Sequence, residues 1–148
     1  MGEDPAEGDR PRGGPDPSGL MISAPVSPGE LIDKITILEI KCVRIPDAAK
    51  RALAADELRL LVERRDSAVP ASEALDSLAA DLRGVNESLW SVEDDLRRFE
   101  AKGEFGAAFV ALARSVYVLN DRRAALKREI NALLGSRLRE VKSHPDHR

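Results

Sequence analysis

Two long apolar seams on either side of Gly103 constrain this chain more than any other feature. Leu75, Leu78, Leu82, Val85, Leu89, Val92, Leu96 and Phe99 recur at three- and four-residue steps, and Phe109, Leu112, Val116, Leu119, Arg123, Leu126, Ile130 and Leu133 repeat the rhythm. That spacing places each set on one face of an α-helix and is coiled-coil-like. Gly103 suits a left-handed helix end. Ser72 caps the first of these helices, and Gly135 stops the second. Two matched seams joined by a short connection predict an antiparallel hairpin about 40 Å long at about 1.5 Å of rise per residue.

Two shorter helices precede it. Ser27-Pro28-Gly29-Glu30 carries the signals of a helix start, with a capping hydroxyl, a proline at the first helical position and a glutamate completing a capping box. The helix runs to about Arg44. Leu31, Ile35, Leu38, Cys42 and Ile45 form one seam, and Ile32, Ile37, Ile40 and Val43 widen it, so burial on more than one side is expected. Glu30, Lys34, Lys41 and Arg44 read as an exposed, ion-paired edge, whereas Asp33 and Glu39 sit nearer the apolar side. Pro46 breaks the chain and Asp47 caps the next helix, whose stripe is Leu53, Leu58, Leu61 and Val62, up to about Arg65. Both short helices are expected to cover the open side of the hairpin. The predicted fold class is all-α: an antiparallel helical bundle of about four helices built on a long hairpin.

Residues 1–19 hold four of the nine prolines and five of the ten glycines, with no aromatic or β-branched residue. The expected organisation is a disordered acidic tail over 1–21, a helical domain over 22–143 and a polar C-terminal tail over 144–148. From Ser136 onward the chain turns polar, with Leu138 and Val141 as residues able to dock. The N-terminal tail carries five acids against two bases, which accounts for the whole net charge of −3. The remaining domain is neutral, which argues against nucleic-acid binding by bulk electrostatics. No apolar run is long enough to cross a membrane and no secretory signal pattern opens the chain, so a cytoplasmic location is expected.

Chemistry has few places to sit. Arg123 occupies a seam position otherwise filled by leucine and valine, and a buried guanidinium without an anion would cost several kcal/mol. A turn at Gly103 sets Arg123 opposite Gly84, the glycine inside the third helix, where it costs about 1 kcal/mol relative to alanine. It also sets Arg114 opposite Glu93. Asn86, Trp90, Glu93 and Arg97 on one helix and Asn120, Lys127 and Asn131 on the other flank this position at helical neighbour spacing. The functional candidate is an anion pocket in the bundle core, with Arg123, Lys127 and Arg114 as donors, Asn120, Trp90 and Asn86 lining it, and Glu93 as acid/base or orienting group. The alternative is a salt-bridge network that fixes helix register. Trp90 and Tyr117 read as anchors with polar tips.

Glu93-Asp94-Asp95 does not make a metal site, because consecutive helical residues diverge by about 100°. His144 and His147 have no ligand partners elsewhere, Cys42 is a small core hydrophobe, and no phosphate loop or nucleophile elbow is present. No metal or cofactor is implied.

The stretches Pro25–Lys41 (PVSPGELIDKITILEIK), Asn86–Trp90 with Val92–Leu96, and Ala113–Tyr117 with Asn120–Lys127 to Asn131 resemble a small bacterial family known only as a domain of unknown function. The resemblance covers about residues 22–143. It implies a loose link to surface-polysaccharide or sugar-nucleotide pathways and no defined reaction. The matching pattern begins near Met21, so the tail before it reads as a variable extension or as sequence ahead of the true start, and its loss is expected to leave folding intact. The Ile32-Asp33 rhythm is also similar to the first helix of the helical chorismate mutases, whose pocket binds a dianion with Arg and Lys and stabilises an ether oxygen with positive charge. That family's full basic set and its C-terminal carboxylate or amide partners do not map here.

Two functions from different classes follow. One is a non-catalytic helical interaction or accessory protein, a homo-oligomer or the partner of a larger protein, because the apolar positions exceed what a lone hairpin buries. The other is an enzyme or binder for an anionic small molecule held by Arg123, Lys127 and Arg114.

Overall fold

The computed structural model describes residues 19–136. The expectations for residues 1–18 and for Leu138, Val141, His144 and His147 lie outside the described residues. Within them the chain is an all-α bundle of four helices: α1 (Pro28–Arg44), α2 (Ala48–Ala68), α3 (Glu73–Lys102) and α4 (Ala107–Leu133).

The helix ends follow from the capping chemistry. The Ser27 hydroxyl accepts from the Glu30 amide with Pro28 at the first helical position, Asp47 accepts from the amides of Ala49 and Lys50, and Ser72 accepts from the Leu75 amide. Each satisfies an amide that a helix start leaves without an intrahelical partner. Gly103 ends α3 in the left-handed region at φ 66°, with its amide donating to the Glu100 carbonyl and the Glu104 amide to that of Phe99. α2 runs three residues beyond the expected Arg65, to Ala68, and α4 begins at Ala107 rather than at Phe105.

The long hairpin forms as its seams dictate. Leu75, Leu82 and Leu89 on α3 and Leu126 and Ile130 on α4 are buried, and the edge-to-face pairs Phe99–Phe109 and Phe105–Phe109 close the tip. Leu133 is the exception. It is exposed, while Leu134 packs on the core cluster of Ile32, Leu75, Leu82, Leu126 and Ile130.

The position of the shorter helices departs from expectation. α1 packs on both α3 and α4, but α2 packs on α1 alone and does not cover the hairpin. α1 thus lies between two layers, which explains why Ile32, Ile35, Leu38 and Ile40 are all buried on one short helix. Val43, assigned to the same apolar surface, is exposed. On α2 Leu53 is exposed too, and Ala54 is the residue that sinks in. An alanine there lets α1 and α2 approach closely.

The polar contacts of α1 gather on the base of the hairpin. They run from Asn131 and Lys127 through Arg123 on α4 and reach Ser91 on α3. Every buried residue of α3 lies at or before Leu89, and every buried residue of α4 at or after Leu126. Toward the tip the seam continues through Val92, Leu96, Phe99, Phe109, Leu112, Val116 and Leu119, but each of these is only half-buried. Among the described residues the outer half of the hairpin is therefore an arm with an incompletely covered apolar seam.

Candidate functional site

The most connected polar cluster sits where α1 crosses α4. Arg123 does have an anionic partner, and it is Asp33 of α1. The guanidinium engages the carboxylate at two points, Nε to Oδ1 at 2.8 Å and Nη2 to Oδ2 at 2.5 Å, with the Asp33 side chain 1% exposed and that of Arg123 29%. This is the fork geometry in which charge-assisted hydrogen bonds are strongest. Asn86 of α3 donates from Nδ2 to Asp33 Oδ1 and to the Thr36 hydroxyl, which itself donates to the Asp33 carbonyl. Three helices are thus tied together through one buried carboxylate. A carboxylate so enclosed is tolerable only because its oxygens are occupied by donors.

One helical turn along the crossing, Lys127 Nζ lies 2.7 Å from Glu30 Oε2. A further turn along, the Gly29 amide donates to Asn131 Oδ1 at 2.8 Å. Arg123, Lys127 and Asn131 are spaced by four and so share one face of α4. They meet Asp33, Glu30 and Gly29 of α1 in antiparallel order. Gly29 is where the backbones come closest: a Cβ there would sit 2.5 Å from the Lys127 carbonyl oxygen and 2.9 Å from Asn131 Oδ1. The Ser-Pro-Gly-Glu sequence is therefore a docking motif as well as a helix start. Asn131 cannot turn its amide over, since its Oδ1 is needed by Gly29. Its buried Nδ2 has no partner among the described residues, a deficit of about 1–3 kcal/mol.

The structure gathers some of the predicted residues and disperses others. Arg123, Lys127 and Asn86 meet in the cluster described above. Trp90 is half-buried on α3, while Glu93, Arg114 and Asn120 are exposed. Among the described residues no ion pair joins Glu93 to Arg114. Gly84 faces open space, with no atom within 4 Å of the position a Cβ would take, so it does not make room for Arg123. The hairpin register alone misdirected that expectation, because the partner comes from α1 rather than α3. Glu30, expected on an exposed edge, is likewise drawn inward by Lys127. The second inspected carboxylate, Glu39, pairs with Arg83, which also reaches Glu87. Two complementary stripes were the overlooked signal: Glu30 and Asp33 on one helix, and Arg123 and Lys127 on another, each at neighbour spacing.

Chemically, the cluster joins helices. Its two central cations face two carboxylates of the same chain, and no group of three or more His, Cys, Asp or Glu side chains is placed to hold a metal ion among the described residues. No described helix is long and apolar enough to cross a membrane. Compared with known proteins, residues 22–145 match a family model described as a family of unknown function. No curated protein and no solved structure matches the chain.

Proposed function

The chain belongs to this family, DUF6165, and we propose that it is a non-catalytic helical interaction protein that self-associates through the outer half of its α3–α4 hairpin. The observation that carries this reading is the apolar seam of the arm. From Val92 to Phe99 and from Phe109 to Leu119 it keeps the spacing of the buried base, yet among the described residues each of these side chains stays only half-buried. Val110 and Val118 on α4 and Phe105 at the tip add exposed apolar surface beside it. A second hairpin of the same pattern would complete such a seam as a four-helix bundle.

The polar cluster supports the same reading from the other side. Recognition of an anionic small molecule by Arg123 and Lys127 would require displacing Asp33 and Glu30, which already meet them at hydrogen-bonding distance. Size-exclusion chromatography with light scattering tests the reading. The expected result is a dimer at micromolar concentration, converted to a monomer of unchanged helicity by Leu112→Asp. A clean monomer at all accessible concentrations overturns self-association.

A further inference from the structure

At the base of the bundle, away from the arm, α1, the end of α2 and the start of α3 enclose a cleft of about 210 Å³. Ligand sites for drug-sized molecules usually begin near 300 Å³, so this space suits one or two side chains better than a small molecule. Its floor is apolar, made by Ile32, Val69, Leu75 and Ala79, and its rim carries Glu39, Asp66 and Asp76 against Arg65. Arg65 is engaged with Asp66 and Glu39 with Arg83, which leaves Asp76 as the rim acid without an ion pair among the described residues.

The end of α4 lies against the same cluster. Leu134 packs on the core cluster that includes Ile32 and Leu75, as do Val69 and Ala79, and Gly135 then turns the backbone at φ 63°. Residues 137–148 follow, with the sequence RLREVKSHPDHR. They hold four bases (Arg137, Arg139, Lys142, Arg148) against two acids (Glu140, Asp146), and Leu138 and Val141 are their two aliphatic side chains. At up to about 3.5 Å per residue, Leu138 reaches some 7 Å and Val141 some 17 Å beyond Ser136.

We propose that this cleft is the docking groove for the chain's own residues 137–148, with Leu138 and Val141 against the apolar floor and the flanking bases facing Asp76 and Asp66. Proximity, charge sign and the size of the cleft select this occupant. The proposal is independent of self-association through the arm, which lies at the other end of the hairpin.

A nitroxide attached at Ser143→Cys in a Cys42→Ala background tests it on the full chain by amide NMR. The expected result is loss of more than half the signal intensity at Val69, Ala71 and Ala79, with Gly103 unaffected. Leu138→Asp combined with Val141→Asp should abolish that loss, and Asp76→Lys should reduce it. Fold is checked in the same spectra, and Cys42→Ser replaces Cys42→Ala if the amide pattern shifts globally. Absence of broadening at the cleft, or broadening that survives Leu138→Asp with Val141→Asp, overturns the proposal. Broadening seen only when spin-labelled and isotope-labelled chains are mixed places a second copy in the groove and overturns it too.

Discussion

A single carboxylate, that of Asp33, holds three helices in register, so its loss and its replacement should differ sharply. Asp33→Leu alone leaves the Arg123 guanidinium facing an apolar side chain in a largely buried position, and an ion pair broken on one side typically costs about 3–5 kcal/mol. Arg123 retains some solvent contact, so the lower end of that range is expected in chemical denaturation. Arg123→Met alone strands the more deeply buried partner and should cost at least as much. The double variant Asp33→Leu/Arg123→Met should be more stable than either single one, because a matched apolar pair removes both desolvated charges. Gly29→Ala should cost about 1–3 kcal/mol, as for other overpacked contacts, because the carbonyl it would strike is helical backbone and cannot rotate away. At Asn131, Ala leaves the Gly29 amide without its acceptor, and Asp keeps an acceptor there only by burying a carboxylate whose second oxygen has no donor among the described residues. Both variants should therefore melt below the parent chain in thermal denaturation, and a raised melting temperature for either would show that the Gly29–Asn131 bond does not hold α1 to α4.

At the scale of elements, the helix boundaries were legible because they are written locally. Ser27, Asp47, Ser72 and Gly103 each perform the capping role their residue type suggests. The hairpin was legible for a similar reason, since two equal seams about one glycine admit few other arrangements. The relation between elements was harder to read. A seam on α1 wide enough for two contacts does not say which neighbours supply them, and α2, whose stripe is weak, proved to pack on α1 rather than on the hairpin. The partner of Arg123 was hidden by the same gap. Arg123 was recognisable as a charge needing an anion, and Asp33 was recognisable as a carboxylate near the apolar side. Nothing local to either residue specified that α1 crosses α4 there. The arm gives a prediction at this scale: Leu112→Asp should lower the melting temperature far less than a comparable change at Leu126 in the base. Leu112 is half-buried whereas Leu126 is fully enclosed, and the cost of a core substitution scales with what surrounds it.

For the whole molecule the division is between a base and an arm. In the base α1 is clamped to α4 by Arg123–Asp33, Lys127–Glu30 and Gly29–Asn131, and α2 closes the far side of α1. The arm carries the hairpin on to its tip, with an apolar seam that the described residues leave half-covered. Keeping seam spacing where the described residues leave the seam half-covered is costly for a monomer, since it exposes apolar surface without return. In an assembly the same surface is what holds copies together. Hydrogen–deuterium exchange followed across the concentrations at which the assembly dissociates tests this division most directly. The account predicts that amides in the tip halves, residues 92–102 and 107–119, lose protection on dilution while those around Leu82, Leu126 and Ile130 do not change. Equal protection of the arm at every concentration, or loss confined to the base, would contradict it.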